Sequence, residues 1–337
     1  MRDEDVITRE PLNVESSWDA LAPPITPIAG FYTRNNFPIP SIAKEAWRLQ
    51  VHGFDRAFSL SYGDLTARPS QTIDVVLECA GNGRSYFDPK PSGTAWRERA
   101  VACARFTGAP LHELLDDAGV SPGTAELLFR GADHDRTMGF ERSLPVKDAR
   151  EAGALLVWEM NGAALEPRHG APVRLVVPSW YGVASVKWLV EVRGLRRPFT
   201  GHFQRERYVY QAAEGAPTTP VREKRVNSLI VAPTPDASVR AGAPTQIRGW
   251  AWSGQAPIAR VEVSTDGGRR WSDAKLDLQK ERHAWRGWSA EWSPRAGETV
   301  ILARATDAAG NAQPEKPAWN VHGYGYNAPR PRRVVVR

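Results

Sequence analysis

Cysteine is nearly absent from the 337-residue chain, which carries only Cys79 and Cys103. Two thiols cannot build a disulfide framework or a thiolate-based tetrahedral zinc site. Each is left with one role at a time: a single metal ligand, a nucleophile, or a small buried side chain. No Cys-x-x-Cys-His stretch occurs, so no c-type haem is attached. No run approaches 18 consecutive apolar residues, which excludes a membrane-spanning helix. The opening Met1-Arg2-Asp3-Glu4-Asp5 is acidic and has no apolar core. No signal peptide is therefore read, and a cytoplasmic chain is expected, or a periplasmic one whose leader was removed. The 28 glycines and 27 prolines follow no fixed period, so the chain is not collagen-like. With 42% hydrophobic and 24% charged residues it has the composition of a soluble globular protein rather than a disordered one. At about 100–200 residues per domain, its length predicts two domains.

Charge is uneven along the chain. Residues 221–337 hold 19 Lys and Arg against 11 Asp and Glu, whereas the whole chain nets only +6. A basic half is compatible with nucleic acid, an anionic surface or an acidic partner, but its simplest reading is a solvated basic face. No nucleic-acid partner is expected. Residues 212–227, AAEGAPTTPVREKRVN, are rich in turn-forming and charged residues without apolar periodicity and read as an interdomain linker. Before it, Leu111, Leu114 and Leu115 have helical spacing between Pro110 and Gly119, residues suited to a helix start and stop. Residues 173–177 and 186–192 are β-branched runs that predict strands, so this half is α+β. After the linker, residues 245–252, 259–264 and 299–306 alternate at strand length, and Asp266-Gly267-Gly268 marks a hairpin turn. Seven tryptophans in this part complete the pattern expected of an antiparallel β-sandwich of about 100 residues.

The most informative stretch is Val75-Val-Leu-Glu-Cys79-Ala-Gly-Asn-Gly-Arg84-Ser, an apolar strand that ends at a cysteine and turns through small residues to an arginine. Small residues let backbone approach a bulky ligand closely. A nearby guanidinium favours the thiolate, which is both nucleophile and soft metal ligand. Read alone, the pattern fits a buried structural cysteine equally well. Cys103, in the apolar run Ala100-Val-Ala-Cys103-Ala-Arg-Phe106, reads as a small buried residue. The pair Asp133 and Asp135 offers two carboxylates to a divalent ion, fewer oxygens than such an ion takes.

The segment Leu77-Glu-Cys79-Ala-Gly-Asn-Gly-Arg84-Ser resembles the cysteine loop of the sulfite oxidase family of molybdenum enzymes. Further segments follow in family order: Phe31-Tyr-Thr-Arg34-Asn-Asn36-Phe-Pro-Ile-Pro40, Phe129-Arg-Gly-Ala-Asp133-His-Asp135, Glu159-Met-Asn-Gly162, His169-Gly-Ala-Pro-Val-Arg174 and Val186-Lys187-Trp188. In the tail, Gly249-Trp-Ala-Trp-Ser253, Val263-Ser-Thr-Asp-Gly-Gly268 and Trp319-Asn are similar to the family's immunoglobulin-like dimerisation domain. Several segments in one order are a far more specific signal than any one motif.

The resemblance implies a mixed α/β molybdopterin-binding domain of the sulfite oxidase fold over residues 1–220, followed by an immunoglobulin-like β-sandwich dimerisation domain over 221–337. It implies Cys79 as the thiolate ligand of molybdenum. Asn36, Asp133, His169, Arg174 and Lys187 would lie along the molybdopterin, the basic members meeting its phosphate. Arg34, Arg84, Trp96 and Tyr208 would form a small anion pocket, Tyr208 donating a hydrogen bond beside the metal. The activity implied is oxidation of sulfite to sulfate by a homodimer. Nitrate or sulfoxide reduction on the same scaffold is the first alternative, and a cofactor-free binding protein the second. Animal members carry a haem domain ahead of the molybdenum domain. About 30 residues precede Arg34 here, so no haem is expected, and electrons would leave to a separate acceptor such as a cytochrome. Three positions depart from the family pattern. Asn36 stands where histidine is common, and Gly83 where an arginine often precedes Arg84. His322 replaces a further pocket arginine of animal members, implying a pocket with less permanent charge and an anion affinity that varies with pH.

Overall fold

A computed structural model describes residues 3–235, 237–279 and 281–337. The first half is built on two five-stranded sheets. One runs in the order Ala163–Ala164, Leu155–Met160, Val101–Pro110, Gln71–Glu78, with Arg174–Val176 also pairing with Leu155–Met160. The other has Phe58–Ser61, Arg48–His52, Leu189–Leu195, Glu126–His134 and Gly139–Pro145, where only Arg48–His52 and Leu189–Leu195 run parallel. The helix expected between Pro110 and Gly119 spans Leu111–Ala118 and buries Leu111, Leu114, Leu115 and Ala118; Gly119 ends it at φ +71°. Among the described residues no helix is long and apolar enough to cross a membrane.

The second half is two facing sheets: Asn227–Ala232, Thr245–Trp252, Arg286–Trp292 and Lys275–Leu276 against Ser238–Val239, Arg332–Val336, Gly297–Asp307, Ile258–Ser264 and Ser272–Asp273. The three expected strands are present, and Asp266-Gly267-Gly268 turns between Ile258–Ser264 and Ser272–Asp273. Inward-facing residues Ile247, Val261, Ile301 and Ala305 form the sandwich core. One pairing, Ser238–Val239 with Arg332–Val336, is parallel rather than antiparallel.

One local expectation needs correction, and the expected linker is more ordered than its composition suggests. The strand expected over 186–192 begins only at Leu189, because Trp188 adopts φ +49°. Its buried indole donates to the Pro167 carbonyl at 2.8 Å, which holds this strained backbone in place. The segment 212–227 is not a free tether. Thr218–Pro220 pairs with Val209–Gln211, and the buried ammonium of Lys224 donates to the carbonyls of Pro178 and Trp180. Polar composition hid this order because the segment is held by hydrogen bonds rather than by an apolar stripe.

Four of the tail's tryptophans are buried, whereas most of its positive charge is exposed. Trp250, Trp252 and Trp285 pack with Leu21, Val76, Val101 and Cys103 across the seam between the two halves. Trp250 and Trp285 stack at 5.0 Å, and their indoles donate to the carbonyls of Leu21 and Pro24. Burying a tryptophan side chain of about 200 Å² is worth on the order of 4 kcal/mol, so this cluster fixes the sandwich against the sheet that contains Gln71–Glu78. Arg330 and Arg332 are buried, and Arg332 pairs with Glu98 at 3.1 Å, while most of the tail's other Lys and Arg lie at the surface, as a solvated basic face requires.

Candidate active site

The strand Gln71–Glu78 delivers Cys79 to the edge of its sheet, where the Cys79 amide still bonds the Ala100 carbonyl at 2.9 Å. The following turn is rigid. Asn82 Nδ2 donates to Glu78 Oε1 at 3.0 Å, and Asn82 Oδ1 accepts from the Ala100 amide at 3.1 Å. Gly83 has φ +83°, and a Cβ there would lie 3.0 Å from both Tyr326 and the Arg330 guanidinium. A side chain at this position would be strained by the backbone and crowded by Tyr326 and Arg330 of the sandwich half.

Two cavities meet at Cys79. The larger, about 690 Å³ of empty space partly open to solvent, is lined by Cys79 and by all five residues assigned to the cofactor, Asn36, Asp133, His169, Arg174 and Lys187. The smaller, about 380 Å³, is lined by Cys79, Arg34, Arg84, Trp96 and Tyr208. Arg34, Cys79 and Tyr208 border both. The ten residues singled out from sequence thus converge from seven separate stretches of chain.

The larger cavity presents polar atoms without partners. Asp133 Oδ1, His169 Nε2 and Thr33 Oγ1 are buried and make no hydrogen bond. Native proteins rarely leave such atoms unsatisfied, so they mark where a polar group belongs. Gly131 makes room for one of them, since a Cβ there would stand 2.4 Å from Asp133 Oδ1. Burial, then the charges of Arg168, Lys187 and Arg174, push the His169 pKa down to about 3, so its ring is neutral. Burial holds the Asp133 carboxyl up at about 6 against the pull of Lys187. Burial and the charge of Arg174 push the Lys187 pKa well down. Arg174 donates to the carbonyls of His169 and Ser185 at 2.9 and 3.1 Å. Three guanidinium bonds, the third to Leu175, leave donors of its five free for a ligand. Basic side chains beside orphaned acceptors and donors fit an elongated, phosphate-bearing polar cofactor.

Asn36 is placed differently from a residue that contacts cofactor alone. Its Oδ1 accepts from Arg34 at 2.6 Å and its Nδ2 donates to the Tyr208 hydroxyl at 3.3 Å, tying two anion-pocket residues together. Asp133 and Asp135 do not form an ion site. Asp135 turns back to accept from Thr137 and Met138, and among the described residues no group of three or more His, Cys, Asp and Glu could hold a metal. Cys79 is the lone soft donor. Burial raises its pKa, while Arg34 and Arg84 pull it down. Cys103 is also buried and both thiols are free.

The smaller cavity is lined by cations. Arg84 donates to the carbonyls of His322 and Thr94 at 2.9 and 2.8 Å and lies 4.9 Å over the Tyr324 ring. Trp96 is fully buried with its indole N–H unpartnered. His322 lines this cavity, and Arg207 and Tyr324, which sequence reasoning did not single out, line it too. His322 was noted only as a departure, and Arg207 lay beside Tyr208 in an unremarkable charged run. Burial, then Arg207 and Arg84, push the His322 pKa below its ordinary value. The permanent charge comes from Arg34, Arg84 and Arg207.

Residues 36–203 match the oxidoreductase molybdopterin binding domain, and residues 219–330 the Mo-co oxidoreductase dimerisation domain. The chain belongs to the sulfite oxidase family of molybdopterin oxidoreductases. It is 36% identical to the mitochondrial sulfite oxidase of Homo sapiens across 96% of its own length, and spans 64% of the human protein. Inducible nitrate reductase [NADH] 2 of Glycine max is 31% identical over 89% of the chain, which spans 38% of that protein. The crystal structure of the sulfane dehydrogenase SoxCD from Paracoccus pantotrophus superposes with a TM-score of 0.86 at 27% identity, over 95% of this chain and 83% of that one. The two halves of the chain thus match the two domains of molybdopterin oxidoreductases.

Proposed function

We propose that this chain oxidises sulfite to sulfate at a molybdenum cofactor and passes the electrons to a separate acceptor. The observation that supports this best is the meeting of a polar cavity and a cationic anion pocket at one thiol, Cys79. Cys79 would hold the metal, Arg174, Lys187 and His169 the pterin and its phosphate, and Asp133 a ring N–H. When bound, the cofactor supplies two-electron oxygen-atom transfer, so that sulfite and water become sulfate, two protons and two electrons. The rest falls to side chains. Arg34 and Arg84 bind and orient the oxyanion by charge-assisted hydrogen bonds, and the indole N–H of Trp96 gives a further donor in a water-poor pocket. Tyr208, held by Arg34 and Asn36, keeps its hydroxyl at the border of the two cavities. A homodimer formed through the sandwich half completes the proposal.

Nitrate reduction is the second reading, favoured by the likeness to a nitrate reductase. Elemental analysis of protein produced with molybdate, followed by addition of sulfite, separates the two. Near-stoichiometric molybdenum and a visible spectrum bleached by sulfite are expected. Metal that responds only to nitrate plus a reductant would replace the oxidase with the reductase. In Arg34→Met, the KM for sulfite is expected to rise roughly 10–100-fold through the loss of a charge-assisted contact, with molybdenum content unchanged. An unaltered KM would remove Arg34 from substrate binding.

A further inference from the structure

Arg207 ends the π-helical turn Phe203–Arg207, immediately before Tyr208. The base of that turn is fixed. Phe203 and Gln204 are buried, Gln204 bonds the backbone of Ser143 in both directions, and the buried Arg142 donates to the Phe203 carbonyl. The exposed end therefore stands at a set place, and the Arg207 side chain lines the smaller cavity. Its neighbour Glu206 does not neutralise it, because that carboxylate is turned onto His202 Nδ1 at 2.8 Å. Among the described residues no carboxylate pairs with Arg207, and none lines the cavity. Arg84, by contrast, already gives two of its donors to backbone carbonyls.

We propose that Arg207 is a specificity-determining residue of the anion pocket, selecting doubly charged oxyanions over singly charged ones. The proposal rests on the reading of this cavity as the oxyanion site. Arg207 places a third permanent positive charge beside Arg34 and Arg84, at the solvent end where an anion enters and product leaves. Its pull is Coulombic, so its contribution to binding scales with the charge on the ligand. Losing it therefore weakens a dianion by about the square of the factor by which it weakens a monoanion. The position of Arg207 at the exposed end also makes it the pocket's steering charge, with an effect that salt screens.

The test is calorimetric titration of the full-length, cofactor-loaded protein with sodium sulfate and with sodium nitrate at fixed ionic strength. Arg207→Gln is expected to weaken sulfate about 10-fold and nitrate about 3-fold, the ratio set by ligand charge. Arg207→Lys restores most of the loss, since charge rather than fork geometry is at work. The salt dependence of kcat/KM for sulfite becomes shallower in Arg207→Gln. Equal losses for both anions, or none, overturn the proposal provided Arg34→Met still weakens sulfate. If Arg34→Met also leaves sulfate binding unchanged, the oxyanion reading of the cavity falls, and the role of Arg207 with it. Circular dichroism of Arg207→Gln matching the parent is expected, since the side chain is exposed.

Discussion

Cys79→Ala loses turnover by at least about 10³-fold, equivalent to about 4 kcal/mol of barrier, while the fold stays near native. Cys79 is the lone thiol where the two cavities meet, and among the described residues no cluster of His, Cys, Asp or Glu stands by to replace it. Alanine keeps the backbone of the turn, whose bonds run through the Cys79 amide and carbonyl to Ala100 and Asn82 rather than through sulfur. The stability cost is that of trimming one buried atom, about 1 kcal/mol. Steady-state assay with sulfite and an artificial oxidant, alongside guanidinium unfolding, checks both halves. Activity within tenfold of the parent would remove Cys79 from the chemistry, and a collapsed fold would make its role structural.

The second large effect is expected at Glu78, one residue before the proposed ligand. Its carboxylate is buried and receives three donors: Asn82 Nδ2 at 3.0 Å, Asn227 Nδ2 at 3.1 Å and the Trp252 indole at 2.8 Å. Two of these belong to the sandwich half. Burial raises the Glu78 pKa, and the hydrogen bonds from Asn82 and Trp252 oppose that rise. In Glu78→Gln one acceptor oxygen becomes an NH₂ group facing other donors, so at least one buried N–H loses its partner. At about 1–3 kcal/mol for each such loss, the variant is expected to be roughly 3 kcal/mol less stable. Guanidinium unfolding followed by tryptophan fluorescence reads this directly, because Trp252 reports on the seam. A shift under about 0.5 kcal/mol would show that the network merely fills space. Glu78→Gln also separates architecture from chemistry, since it disturbs the Cys79 turn without touching the thiol.

Much of the site was legible because its chemistry is carried by short motifs whose side chains act where the backbone leaves them. The turn after Cys79, the paired Arg34 and Asn36, and Arg174 near His169 needed no long-range knowledge to be singled out. Asn36 shows the limit. Its amide joins Arg34 to Tyr208, a contact across 172 residues that no spacing rule reveals. Arg207 and Tyr324 escaped notice for the same reason. One is an arginine in a charged run and the other a tyrosine in a loop, and only their approach to Arg84 gives them meaning. The departure at Gly83 needed tertiary contact to explain it, since Arg330 and Tyr326 come from the far end of the chain.

By itself the sequence determined the two-part organisation, the strand-rich second half, the helix closed by Gly119 and the thiol-bearing turn, because each is written in local periodicity or turn chemistry. Tertiary structure alone decided three other matters. The tail's buried tryptophans and arginines serve a seam within one chain, the linker is held by Lys224 and a short strand pair, and the pocket's third charge is Arg207, beside which the His322 pKa is pushed down. These depend on which surfaces and charges meet once distant segments pack. Burial and Coulomb interactions are set by distances in space, and no local pattern in a chain encodes those distances.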